Sequence, residues 1–106
     1  MAKITIPELE YDEHRLAKIT THVGNTYTVR KLSDGEFMAA ASLGGNAHPE
    51  LAMIAVVSAA LVDPEMTQKK VKEELFDGEL MFLFTAIAKK HNEAIDFLTD
   101  TEPLNL

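Results

Sequence analysis

LAMIAVVSAALV, at positions 51–62, is the longest apolar stretch of the sequence without a charged residue. It follows Pro49 and precedes Asp63-Pro64. Proline suits the first turn of a helix and disfavours helical backbone in the residue before it, so a helix is predicted over residues 49–62. This helix has no polar face and must be covered on every side. Because about 20 apolar residues are needed to cross a bilayer, we interpret it as a buried helix and expect no membrane partner.

Three other segments also carry signals for helices. Ser33 and Glu36 have the spacing of a capping box, in which each side chain binds the backbone amide of the other residue. Thr67 and Asp77 are residue types that cap helices, and the glycine pair at 44–45 can end one. The predicted helices cover residues 34–43, 49–62, 68–75 and 78–98.

A β-hairpin is predicted before the first helix. The runs ITTHV (19–23) and TYTVR (26–30) are rich in β-branched and aromatic residues. Gly24-Asn25 separates them and suits a two-residue turn, because both residues tolerate positive φ. Two strands alone are marginally stable in water, so the hairpin must pack against the helices or against another subunit.

The sequence predicts one domain, mainly α, with about four helices and a short N-terminal β-hairpin. This domain covers residues 19–98. An arm over 1–18 precedes it, as an irregular segment or as a short helix after Pro7, and a flexible tail over 99–106 follows it. A chain of 106 residues can form a hydrophobic core without disulfides or metals, and this one contains no cysteine.

The charge balance argues against two classes of partner. The chain has 10 Lys+Arg and 17 Asp+Glu, which gives a formal net charge of −7 at pH 7. Nucleic acids and anionic membranes bind clustered Lys and Arg, so we expect neither as a partner. The lack of cysteine excludes thiolate metal sites and thiol nucleophiles, and it agrees with a reducing cytoplasm.

Candidate catalytic and metal-binding side chains are scattered along the chain. No two of the four histidines are spaced for one helix face; they are His14, His22, His48 and His91. Four acids surround one helix boundary and are interpreted as a solvated cluster near the positive end of the helix dipole; they are Glu73, Glu74, Asp77 and Glu79. Ser58 is expected to bond to a carbonyl of its own helix. We therefore predict no catalytic residue, cofactor or metal. A small acid/base enzyme with a histidine beside a carboxylate is the alternative.

Two helices contain a surplus of apolar surface. The 51–62 stretch and LMFLFTAIA at 80–88 are apolar on nearly every side, which is more than two short helices and a hairpin readily cover. The two helices either pack on each other as the core or leave a face open for a partner or for self-association. On the second interpretation, the predicted partner-binding residues are Met53, Ile54, Val57, Leu61, Leu80, Met81, Phe84 and Ile87.

Three blocks of the sequence resemble the tail assembly chaperones of long-tailed bacteriophages. VRKLSDGE (29–36) is similar to their Val-Arg-x-Leu-Ser/Thr-x-x-Glu block. ALVDPEMT (60–67) is similar to their Ala-Leu-Val-x-Pro-x-Leu/Met-Thr turn, and FDGEL (76–80) to their Gly-Asp/Glu-Leu/Ile helix start. The resemblance covers about residues 27–91. The sequence departs from the family at KKHN (89–92), where a short polar stop is expected, and the arm has no clear counterpart.

The resemblance implies a non-enzymatic, mostly helical protein of the host cell cytoplasm. Members of this family bind the tape measure protein during tail assembly, keep it soluble and are absent from the finished virion. The implied partners are the tape measure protein, the major tail protein and further copies of the chain in a homo-oligomer, without a cofactor. A head–tail connector or tail component that stays in the virion is the structural alternative.

Overall fold

The computed structural model of the protein describes residues 5–101, with side chains as far as residue 92. In this part of the chain the elements are β1 (Leu16–Thr20), β2 (Thr26–Arg30), α1 (Asp34–Ala41), α2 (Pro49–Ala60), β3 (Leu61–Asp63), α3 (Gln68–Glu74) and α4 (Glu79–Thr101). The four predicted helices and the hairpin are all present. Strand β3 is not among the predicted elements, and it makes the fold a mixed α and β one rather than a mainly α one.

The strands form one antiparallel sheet in the order β1-β2-β3. β1 pairs with β2 along its whole length and ends with Thr20 opposite Thr26. β3 pairs with the other edge of β2, with Leu61 opposite Val29 and an irregularity in the register. Alternate residues of β1 and β2 face the core, as the two-residue period of a strand requires. These inward residues are Ala17, Ile19, Tyr27 and Val29.

The first strand and the turn of the hairpin lie at other positions than predicted. β1 begins and ends three residues earlier than predicted, and the five residues 21–25 connect it to β2. The Thr21 amide donates to the Asn25 carbonyl over 2.8 Å, and the Gly24 amide donates to the Thr21 carbonyl over 2.9 Å. Gly24 has a φ of +92°, which glycine adopts without a steric penalty. The predicted strand end therefore forms a loop.

Capping residues begin two helices as predicted. Ser33 Oγ accepts a hydrogen bond from the Glu36 amide over 3.1 Å. The Glu36 carboxylate accepts one from the Ser33 amide over 3.0 Å, which confirms the capping box of α1. Thr67 Oγ1 accepts a hydrogen bond from the Lys70 amide over 3.2 Å and begins α3. These contacts satisfy amides that have no partner inside a helix.

The ends of the helices differ more from the predictions. α2 ends at Ala60, two residues early, because Leu61 already belongs to β3. α4 continues to Thr101, so residues 99–101 of the predicted flexible tail are helical. The rest of that tail, residues 102–106, lies outside the described residues.

The core lies around α2, which packs against α1, α3 and α4. Val56 and Val57 of α2 are completely buried. The arm contributes Leu9, which is only 2 % exposed although residues 5–12 are neither helix nor strand. The arm thus adopts the irregular alternative over these residues. None of the helices in the described residues combines the length and the apolarity needed to cross a membrane.

Candidate partner-binding surfaces and polar clusters

Most of the residues predicted to bind a partner lie inside the folded chain. Four of them are buried in the core: Ile54, Val57, Leu61 and Ile87. Three are half-buried: Met53, Leu80 and Phe84. Met81, with 55 % of its surface exposed, is the accessible member of the set. The two apolar helices pack against each other, so each covers much of the other.

Other large apolar side chains are exposed outside the predicted set. Phe76 is 69 % exposed and, together with Met81, flanks the start of α4. Met38 on α1 is 65 % exposed, and Leu43 and Leu51 are also exposed, near the loop between α1 and α2. Phe76, Met38 and Leu43 lie in short or polar segments without apolar periodicity, so no sequence pattern singles them out.

Glu79 is the first residue of α4 and is only 4 % exposed. Its Oε2 accepts hydrogen bonds from the Thr21 hydroxyl at 2.6 Å and from the Asn25 side-chain amide at 3.0 Å. Its Oε1 accepts one from the Tyr27 hydroxyl at 2.9 Å. The positive end of the helix dipole also favours a carboxylate at this position. We call these four residues the Glu79 cluster.

The Glu79 cluster fastens the hairpin loop to the start of α4. Both side-chain oxygens of Glu79 accept hydrogen bonds from neutral donors, and a buried polar group without such partners would be costly. Burial, followed by the hydrogen bond to Glu79, raises the pKa of Tyr27 to about 12. Beside the cluster, His22 Nε2 donates to the Asp77 carbonyl over 2.6 Å, and the His22 ring lies 5.2 Å from that of Phe82. These contacts give the cluster a structural role.

The interpretation of the four acids at this boundary is wrong for Glu79. Glu73, Glu74 and Asp77 are exposed, as a solvated cluster requires, whereas Glu79 is buried. Asp77 also differs from its predicted role as the helix cap, because α4 begins two residues later and Gly78 lies between them.

The other candidate catalytic groups do not form a desolvated acid/base site. His14 and His48 are exposed, each beside the carboxylate of a nearby residue. His91 Nδ1 lies 3.9 Å from an Asp34 carboxylate oxygen, but the Asp34 side chain is 94 % exposed and therefore not desolvated. Ser58 donates to a backbone carbonyl in the turn before α3, rather than in its own helix as predicted. Among the described residues, no three His, Asp or Glu side chains converge as metal ligands would.

A depression of about 370 Å³ lies between the arm, α1 and α4. The rings of Phe37 and His91 stack in its wall, with their centroids 4.0 Å apart and their planes inclined by 16°. Its lining is completed by Tyr11, Lys31, Leu32, Asp34, Ile87 and Lys90. Burial raises the pKa of Tyr11. We call this depression the aromatic slot.

A second depression adjoins the aromatic slot and shares three residues with it. Its lining residues are His14, Arg15, Arg30, Lys31, Leu32, Ser33, Asp34 and Glu36. Arg30 donates to both oxygens of Glu36, over 3.1 and 2.7 Å, and its Nε donates to the Ala59 carbonyl over 3.0 Å. The Arg30 hydrogen bonds, and then the amide of Ser33, lower the pKa of Glu36 to about 2. We call this depression the basic depression.

Comparisons with known proteins add no assignment. The sequence matches no protein-family model, and neither a curated protein nor a solved structure matches the chain at a significant level.

Proposed function

We propose that this protein is a tail assembly chaperone of a long-tailed bacteriophage or prophage. In this proposal it binds the tape measure protein through exposed apolar side chains and keeps it soluble in the host cytoplasm, without a cofactor and as a homo-oligomer. The resemblance of three sequence blocks supports the proposal.

The exposure of Phe76 and Met81 is the observation that carries the proposal. These side chains are 69 % and 55 % exposed and lie at and just beyond the FDGEL block. Burying apolar surface contributes about 25 cal/mol per Å², less the cost of ordering the partner. An exposed phenylalanine contributes little of this to the folding of the single chain, but it can contribute to a complex. Met and aromatic residues are also enriched at binding surfaces.

Replacing both residues by glutamate tests the proposal. On co-expression, the wild-type protein is expected to keep the tape measure protein in the soluble fraction. The F76E/M81E variant is expected to leave most of it insoluble, because binding would bury two unpaired charges. The V23E/V62E variant is the matched control, since it adds the same charge at two other exposed apolar positions.

Three results would contradict the proposal. The first is equal solubility of the tape measure protein with wild type and F76E/M81E, when circular dichroism shows both to be folded. The second is equal loss of solubility with F76E/M81E and V23E/V62E, which would indicate a general effect of charge. The third is a band of this protein in purified virions, which would favour a head–tail connector or tail component.

A further inference from the structure

Arg15 and Lys31 are neighbouring cations in the basic depression. The Lys31 amide donates to the Arg15 carbonyl over 2.8 Å, which continues the β1–β2 pairing by one position. Both residues are exposed, and within the described residues neither forms an ion pair with a carboxylate. The Lys31 ammonium lies 5.9 Å from the centre of the Tyr11 ring. Two cations that line one depression are thus exposed, with no carboxylate of the described residues within ion-pair distance of either.

This arrangement is unfavourable for the isolated chain. Arg15 and Lys31 carry the same charge at paired backbone positions one step beyond the ends of β1 and β2. Arg15 also has a φ of +62°, a conformation that costs free energy for a residue other than glycine. The chain has 17 Asp+Glu, and the neighbouring Arg30 is paired with one of them, Glu36. Local features that oppose stability are typical of positions retained for binding.

The aromatic slot supplies an apolar surface next to these cations. Lys31, Leu32 and Asp34 line both depressions, so the two form a continuous surface. Ile87 is buried beneath the slot, and Phe37 is half-buried in its wall. A volume of about 370 Å³ is in the range of sites that take small ligands, and it accommodates a large apolar side chain.

The charge of this surface is opposite to that of the rest of the protein. The two depressions together are lined by four Lys or Arg residues and two carboxylates, in a chain of net charge −7. Lys90 is already paired with Glu8 at 3.2 Å, and Arg30 with Glu36 at 2.7 Å. The cations available to a ligand are therefore Arg15 and Lys31.

We propose that the aromatic slot and the basic depression together bind an acidic segment of the partner protein. A large apolar side chain of that segment enters the aromatic slot, and carboxylates beside it pair with Arg15 and Lys31. This inference rests on the proposed function, because it names the chemistry of the segment that the chaperone binds in the tape measure protein.

Synthetic peptides of about 14 residues, near the length at which isolated helices become marginally stable, test the binding chemistry. One peptide carries Leu and Phe at helical spacing with Glu at the other positions. Further peptides replace Glu by Gln, Glu by Lys, or the apolar residues by Ala. The Glu peptide is expected to bind, and to bind less well as salt is added. On binding, amide NMR shifts of the protein are expected at residues 14–15, 31–37 and 87–91.

Variants of the protein test the two cations. R15Q/K31Q is expected to bind the Glu peptide about tenfold more weakly than wild type, because it removes the two cations that attract the peptide's carboxylates. The stability of this variant is expected to be unchanged or higher. K69Q/K72Q is the matched control, because it removes two exposed cations of α3. Equal affinity for the Glu and Lys peptides overturns the inference, as do shifts outside the two depressions. Concentration-dependent shifts there without peptide would assign the surface to a second copy of the chain and overturn it too.

The co-expression assay separates this inference from the proposed function. If R15Q/K31Q loses peptide binding but still solubilises the tape measure protein, the assignment of the bound segment fails and the proposed function stands. If the wild-type protein binds the Glu peptide but does not solubilise the tape measure protein, the proposed function fails and the peptide site stands. The inference is supported when R15Q/K31Q loses both properties and K69Q/K72Q retains both.

Discussion

Glu79 accepts hydrogen bonds from Thr21, Asn25 and Tyr27, residues that lie 52–58 positions earlier in the chain. Each donor comes from the end of the hairpin, and Thr21 and Tyr27 are themselves buried. A buried donor or acceptor left without its partner costs about 1–3 kcal/mol, so the members of the cluster depend on one another. One carboxylate therefore holds the hairpin loop against the first turn of α4.

The pH dependence of stability is expected to report on this cluster through Tyr27. Its pKa is about 12 in the folded protein, against an ordinary value of 10.0. Because the fold favours the neutral hydroxyl, this contribution to the free energy of unfolding is present below pH 10 and is lost between pH 10 and about 12. Urea unfolding is expected to show wild type more stable than Y27F at pH 7, with a difference that shrinks across this window. Parallel curves for the two proteins between pH 10 and 12 would contradict the assignment.

Sequence reasoning could not find the Glu79 cluster. Acids near a helix start are common for electrostatic reasons, and three of the four at this boundary are indeed exposed. Only the tertiary contact between the hairpin loop and α4 distinguishes Glu79 from its neighbours. The capping box at Ser33 and Glu36, in contrast, is a contact over three residues, and its spacing was sufficient to predict it.

Among the elements, the loop between α1 and α2 depends on a glycine for two separate reasons. Gly44 has a φ of +80°, and a Cβ atom there would lie 2.4 Å from the His48 carbonyl oxygen. It would also lie 3.0 Å from the Cβ of Leu51, on α2. Gly45 has a φ of +56°, but a Cβ atom there would meet nothing within 4 Å. A side chain at position 45 would therefore meet backbone strain alone, whereas a side chain at position 44 would meet both backbone strain and steric overlap.

Alanine at each glycine is expected to destabilise the protein by different amounts. Gly45→Ala is expected to cost about 1 kcal/mol, because only the left-handed backbone conformation opposes it. Gly44→Ala is expected to cost more than about 2 kcal/mol, because the backbone around His48 must also move. Urea unfolding of both variants measures the difference. Equal destabilisation would show that the loop relaxes around the added methyl group.

The elements themselves could be predicted where their signals are local. The four helices begin near proline, capping or glycine signals that lie within a few residues of their starts. β3 could not be predicted, because Leu61 and Val62 continue the apolar run of α2 without a break. They form a strand because β2 offers an unpaired edge more than thirty residues earlier in the chain.

At the scale of the whole molecule, apolar exposure and charge act in opposite directions on association. Phe76, Met81 and Met38 are each more than half exposed, and burial of such surface favours contact between chains. A net charge of −7 makes identical chains repel one another. Salt screens this repulsion over distances of about 10 Å at 0.1 M, while leaving apolar burial almost unchanged. The balance between the two effects is therefore adjustable by ionic strength.

Self-association of the wild-type protein is accordingly expected to increase with salt. Light scattering after size exclusion is expected to give a mass above the 11.7 kDa of one chain, and a larger mass at higher salt and concentration. F76E/M81E is expected to remain closer to 11.7 kDa, because it removes apolar surface and adds two negative charges. V23E/V62E adds the same charge elsewhere and is expected to retain more of the association than F76E/M81E. A wild-type mass of 11.7 kDa at every salt and protein concentration would contradict self-association. Equal masses for F76E/M81E and V23E/V62E would place the contact between chains away from Phe76 and Met81.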